Sequence, residues 1–179
     1  MSRPQPPHPA KLIVGLFTAD KALLPAVCEK LIDLCGPIDI ISRWFRFDFT
    51  DYYAAEMGDA PLFRRVVVFK TLIKQEMLAD IKIDTNAIED QFCDRGRRTV
   101  NIDPGYLLRE RFVLATGKNF SHRIYIGRGI YADLTLIYRK GSFRTLEWTY
   151  PDYGAEPMIA LLNLVRQKYI FDLKQAKLP

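Results

Sequence analysis

The sequence predicts an α+β domain, a ferredoxin-like βαββαβ core extended by an antiparallel β-meander and a C-terminal helix. Apolar runs of strand length alternate with two long stretches of three- and four-residue apolar spacing. The last third is different: short alternating runs broken by glycine turns, then one more amphipathic stretch.

Each element has its own signal. Lys11-Leu-Ile-Val-Gly-Leu-Phe-Thr18 is almost wholly apolar, which suits a central strand. Over 21–35, Leu24, Val27, Cys28, Leu31 and Leu34 share one helical face, and Gly36-Pro37 ends the helix. A second strand is expected from Ile38 to Phe49, with Phe45, Phe47 and Phe49 alternating against Trp44, Arg46 and Asp48. A short helical turn over Asp51–Gly58 leads to a third strand, Leu62–Phe69, rich in β-branched residues.

From Lys74 to Cys93 the unbroken helical step of Leu78, Ile81, Thr85, Ile88 and Phe92 predicts one long helix. The fourth strand is Arg98–Asp103, closed by Asp103-Pro-Gly-Tyr106 as a turn. This order would make parallel neighbours joined by right-handed crossovers. Arg111–Thr116 fits either a helix or a strand. His122–Ile126, Ile130–Arg139 and Phe143–Trp148 form the meander, and a last helix spans 155–174 with Met158, Leu161, Leu162, Val165 and Tyr169 on one face. The meander is expected to extend the first sheet or pack against it.

With 179 residues the chain suits one domain, 11–179, behind a flexible proline-rich leader, 1–10. No apolar run reaches the roughly 20 residues that span a bilayer, and the leader lacks the apolar centre of a signal peptide. Cys28, Cys35 and Cys93 are odd in number and contain no C-x-x-C pair. On one helix Cys28 and Cys35 would stand about 10 Å apart, too far for a disulfide, so all three are expected in or near the core. A cytoplasmic setting follows, without membrane contact. The net charge of +5 admits an anionic partner but is scattered, with Arg95-Gly-Arg-Arg98 its densest point.

Local motifs are mostly excluded. Ala115-Thr-Gly-Lys-Asn119 lacks both the first glycine and the hydroxyl residue of a phosphate-binding loop. No G-x-G-x-x-G and no G-x-S-x-G is present, and two histidines with dispersed cysteines give no zinc spacing. The residues name no cofactor and no metal ligand set. The third strand lacks the aromatics of an RNA-recognition sheet.

What remains is a polar set at strand ends, where loops on a rigid sheet carry function. His122, the one histidine outside the leader, is the first catalytic candidate, because imidazole is the side chain best suited to proton transfer, joined by Asp103 and Asp48 as acid, base or metal ligand. Lys118, Arg123, Arg97 and Arg98 suit an anionic ligand, with Tyr106, Trp148 and Asp152 beside them. Structural alternatives exist for each: a hydrogen-bonded semi-core imidazole, a helix cap at Asp48, an Asx-type turn at Asp103, and packing of the last helix for the Trp148–Tyr153 aromatics.

Five phrases, Phe47-Asp-Phe-Thr-Asp-Tyr-Tyr53, Val100-Asn-Ile-Asp-Pro-Gly-Tyr106, Ser121-His-Arg-Ile-Tyr125, Gly129-Ile-Tyr-Ala-Asp133 and Trp148-Thr-Tyr-Pro-Asp-Tyr153, resemble those of the bacterial and archaeal domain of unknown function 4416 family. The resemblance runs from Lys11 to about Leu173 and implies one compact domain in a prokaryotic cytoplasm, without a substrate. The expectation is therefore a small anionic ligand, phosphate- or carboxylate-bearing, a class that includes nucleotides, held where the charged turns meet. A nucleic-acid-binding module and a homo-oligomeric assembly protein with an aromatic interface are the alternatives.

Overall fold

A computed structural model describes residues 3–47 and 60–176. Among the described residues, eleven strands and four α-helices follow one another. β1 is Ala10–Thr18, α1 Leu24–Cys35, β2 Ile38–Ile41, β3 Phe45–Phe47 and β4 Leu62–Ile73. α2 is Leu78–Gln91, and a small hairpin, β5 (Cys93–Asp94) and β6 (Arg97–Arg98), leads to β7, Val100–Leu107. Then come β8 (Arg111–Thr116), β9 (Arg123–Gly127), β10 (Ile130–Arg139), β11 (Ser142–Thr145), α3 (Pro151–Gly154) and α4 (Glu156–Gln175). No helix among the described residues is long and apolar enough to cross a membrane.

One large sheet organises the protein, in the order β11-β10-β8-β7-β1-β4-β2, with β3 beside β4 and β9 beside β10. The expected parallel neighbours do not occur among the described strands; every pair is antiparallel. β1 and β2 do run the same way, but β4 lies between them and reverses the direction at each step. β1, β4 and β7 are central, which is why Ala10–Thr18 is buried throughout, on both faces.

Register assigns the faces. Lys11, Gly15 and Phe17 point to the side of α3 and α4, since Lys11 reaches Asp172 on α4 and the Tyr153 hydroxyl of α3 lies against Gly15. The alternate residues face the opposite way. Phe63, opposite Thr18, lies beneath Lys21, in the short 3-10 turn Lys21–Leu23 that leads into α1. The meander extends the sheet beyond β7, as one of the two expected arrangements had it.

Two strands depart from expectation. The second does not run unbroken from Ile38: Ser42–Trp44 separates β2 from β3, and the register moves by one residue between Ile41↔Val67 and Phe45↔Arg64. Ser42 causes the break. Its N–H donates to the Val66 carbonyl at 2.9 Å, and its hydroxyl oxygen accepts the Val66 N–H at 3.0 Å in place of a backbone carbonyl. The remainder of that strand and the helical turn over Asp51–Gly58 lie outside the described residues.

The second departure is at Asp103-Pro-Gly-Tyr106, which is strand and not turn: β7 continues to Leu107. Proline is tolerated there because pairing to β8 begins one residue later, at Gly105. Along the open stretch of that edge, α2 supplies side chains instead of a strand. Glu89 Oε1 accepts the Ile102 N–H, and Lys82 Nζ donates to the Ile102 carbonyl at 2.8 Å. Two glycine-bearing hairpins match expectation. The β10–β11 loop is Lys140-Gly141 with φ of 49° and 83°, a backbone of the I′ kind.

Candidate functional site

The structure sorts the predicted residues into two groups, both resting on the α4 side of the sheet. Asp133 pairs across to Leu114, and Leu114 to Gly105, so Asp133 and Asp103 project from one face. The groups nonetheless belong to different strand ends.

The first group pins the meander. Asp133, with a side chain only 4% exposed, accepts from Arg123 Nε at 2.9 Å and lies 3.2 Å from His122 Nε2. Arg123 also donates to the Lys118 carbonyl and to the Tyr150 hydroxyl, each at 2.9 Å. Burial opposes its charge, but the bonds to Asp133 and Tyr150 outweigh that and hold the guanidinium pKa above its ordinary value. His122 stacks on Trp148 with ring centroids 4.8 Å apart, and Trp148 Nε1 donates to the Leu134 carbonyl at 2.8 Å. His122 is thus neither isolated nor enclosed by aliphatic groups. The polar atoms of this set are largely committed to one another, and their joint effect is to fasten the loop before β9 and the loop after β11 to β10.

The second group gathers at the end of the sheet where β1 finishes and β4 and β7 begin. Asp103 accepts from Asn101 Nδ2 at 2.8 Å and lies 3.4 Å from Lys82 Nζ. Arg98 Nη1 donates to Asn101 Oδ1 at 2.8 Å and lies 3.3 Å from Glu89 Oε2. Glu89 is buried, and burial pushes its carboxyl from 4.5 up to about 6 against the pull of Lys82, the Ile102 N–H and Arg98. The folded chain therefore holds this proton more tightly than the unfolded one, so its contribution to stability falls as pH rises from 4.5 to about 6. That slope is worth about 2 kcal/mol. Urea unfolding across this window is expected to show it in the wild type and not in Glu89→Gln.

On the same face, β4 presents Arg64 and α3 presents Asp152, with Arg64 Nη1 and Asp152 Oδ2 at 2.6 Å and both side chains at least nine-tenths buried. The Arg64 guanidinium also covers the Tyr153 ring, 4.6 Å from its centroid. Gly15 makes this possible, since a Cβ at that position would stand 2.6 Å from the Tyr153 hydroxyl. Burial raises the Asp152 pKa although Arg64 pulls it down, and Asp103 adds to the rise. Burial likewise raises the pKa of Tyr153.

Arg64 and Asp152 form one wall of a cleft of about 380 Å³, completed by Arg43, Trp44, Arg46 and Met158. A second cleft of about 570 Å³ lies at the same sheet end, between Asp20 on one side and Asp94, Arg95, Arg97, Arg98 and Thr99 on the other. Both fall in the range of roughly 300–1,000 Å³ typical of small-molecule sites. Their electrostatics differ. The larger cleft sets Asp20 and Asp94 against its arginines, and Asp20, Asp94, Arg95 and Arg97 are all exposed. The smaller sets three arginines against one carboxylate that is already paired, and its ion pair is buried where the local dielectric is low.

Of the remaining candidates, Tyr106 is buried in β7, with its pKa raised by burial and its hydroxyl beside Arg111. Asp48 lies outside the described residues. Cys93 is exposed and not near-core, whereas Cys28 is buried and Cys35 half-buried; all three thiols are free. Among the described residues no group of three or more His, Cys, Asp or Glu is placed to hold a metal ion. Reading the sequence missed Arg43, Arg46 and Arg64 in the cleft, and Asp133, Lys82 and Glu89 beneath the other candidates. Arg64 left one trace, a charge inside a largely apolar strand, next to Arg65 and just ahead of three valines.

A protein-family model described as a domain of unknown function (DUF4416) matches residues 8–169. No curated protein and no solved structure matches the chain.

Proposed function

The chain belongs to the DUF4416 family, whose description names no activity, and we propose from its geometry that it binds a small anionic ligand, phosphate- or carboxylate-bearing, in the cleft of Arg43, Arg46 and Arg64. The support is a buried ion pair, Arg64–Asp152, at the wall of a cleft whose other charged residues are both arginines. A buried pair is a poor source of stability, because desolvating both ions offsets their attraction. Placed at a cleft wall, it holds the guanidinium plane rigid and partly dehydrated, the condition in which arginine grips a carboxylate or phosphate through two parallel bonds. Trp44 supplies an apolar rim to exclude water. Its own ring carries Arg65, 4.8 Å from the centroid.

We read the β7-β1-β4-β2 portion as a ferredoxin-like core. The support is its strand order, with α1 and α2 as the two crossing connections. A cytoplasmic setting belongs to the same reading and is supported by the three free thiols.

Binding is tested by thermal shift and calorimetry with inorganic phosphate, nucleoside monophosphates, sugar phosphates and citrate. A ligand taken only by the folded chain raises its melting temperature. Arg43 and Arg46 are exposed, so Arg43→Gln and Arg46→Gln are expected to leave stability almost unchanged. Each removes a charge-assisted bond worth about 1.5–3 kcal/mol and so weakens affinity about 10- to 100-fold. If no anion shifts the wild type, or both variants bind as tightly as it does, the cleft is not the site.

A further inference from the structure

We propose that β9 is the centre of a twofold interface with a second copy of this chain. β9 is an outer strand, paired only with β10 among the described strands. Successive strand residues point to opposite faces, yet Ile124 is 72% and Tyr125 59% exposed, so the described residues leave both faces largely open. Phe120, at 63%, and the exposed Trp148 and Tyr150 border the same strand. A strand bare and apolar on both sides is what monomeric proteins avoid, by placing lysine or another unpaired charge on the edge.

Here the one charge on the strand is withdrawn. Arg123 is buried against Asp133, and Arg128 at the hairpin tip, beyond β9, is paired with Asp80 at the surface. Two copies approaching edge to edge therefore meet no unpaired cation on β9. The segment is also self-complementary. Ile124-Tyr125-Ile126 reads the same in both directions, so an antiparallel pair centred on Tyr125 sets each isoleucine against an isoleucine and tyrosine against tyrosine. The β9–β10 ladder shifts register between Tyr125 and Gly127. That bend limits the new ladder to a few bonds, and side-chain burial supplies most of the affinity.

The exposed apolar area reaches the threshold for a stable interface. At ~150–250 Å² per large side chain, the exposed parts of Phe120, Ile124, Tyr125, Ile126, Trp148 and Tyr150 come to roughly 600 Å² per copy. A twofold pair that covered all of it would bury at most about 1,200 Å², the lower bound of stable interfaces.

Light scattering on the full chain is expected to give about twice the 20.7 kDa chain mass. Ile124→Lys, which restores the missing edge charge, should return it to 20.7 kDa with the circular dichroism and melting of a folded protein. Hydrogen exchange in the β9 peptide should be slow in the wild type and fast in that variant. Leu164→Lys, at an exposed position on α4, should remain paired. A wild type of single-chain mass at high micromolar concentration overturns the proposal. So does a dimer that survives Ile124→Lys, or one that Leu164→Lys dissociates.

Discussion

Gly105→Ala is expected to destabilise the protein by about 3 kcal/mol, the upper range for an overpacked core, or to prevent folding outright. A Cβ at Gly105 would stand 2.4 Å from the Val113 carbonyl oxygen and 2.9 Å from Leu114 Cδ2. The first of these is backbone and belongs to the neighbouring strand β8, so no rotamer change relieves it. β7 would have to separate from β8 at the point where their pairing begins, Gly105↔Leu114. The Ile102 edge that Glu89 and Lys82 complete lies just beyond that point. Chemical unfolding of the variant against the wild type measures the effect, and a loss below 1 kcal/mol would show that the two strands can part without cost. Gly15→Ala is the milder companion, because the Tyr153 hydroxyl it meets sits at the end of a side chain.

Lys11→Ala should lose a comparable amount, about 3 kcal/mol. The ammonium of Lys11 is wholly buried and lies 2.8 Å from Asp39 Oδ2 and 2.7 Å from Asp172 Oδ2. Removing it leaves two carboxylates facing each other, served only by the half-exposed Lys168. Burial pushes the Asp39 pKa up, but Lys11 and Lys168 more than compensate, and it lies below the ordinary 3.8. A carboxyl held low in the folded state stabilises at every pH above its unfolded value, and that stabilisation is lost as pH falls through the folded one. Without Lys11 the Asp39 pKa rises, so acid unfolding is expected to begin at higher pH. Lys11→Met separates the two parts of the effect. It keeps the length of the side chain and most of its packing, so whatever loss it shares with Lys11→Ala belongs to the charge. Equal stability of Lys11→Met and wild type, together with an unmoved acid limb, would mean that this triad of β1, β2 and α4 adds nothing.

These two sites explain why the sequence was informative about elements and silent about the site. Periodicity is a property of one segment and survives without knowledge of its neighbours. Ala10–Thr18, α1, α2, β10 and α4 lie where alternation or the helical step placed them, to within a residue or a few at each end. The failures lie where a neighbour decides. Asp103-Pro104-Gly105 has the composition of a turn, yet Gly105 is glycine because β8 approaches it, and Pro104 is tolerated because β8 stops short of it. Ile38–Phe49 alternates like one strand, but Ser42 puts a hydroxyl oxygen into the ladder and inserts a residue.

The candidate site divides in the same way. His122, Arg123 and Trp148 were recognisable as a group because they stand at neighbouring turns of one meander. Their partner Asp133 was not, since its place beside Arg123 is set by the β9–β10 register. Arg43, Arg46, Arg64 and Asp152 come from three distant stretches of chain and meet only when β3 pairs with β4 and α3 folds over Gly15. By itself the sequence determined which segments are strands and helices, that charge is dispersed along the chain, and which turns are polar. Tertiary structure alone decided which of those charges share a cleft and which neutralise one another. Local order depends on residues a few positions apart, whereas an electrostatic site depends on distances through space that no short segment encodes.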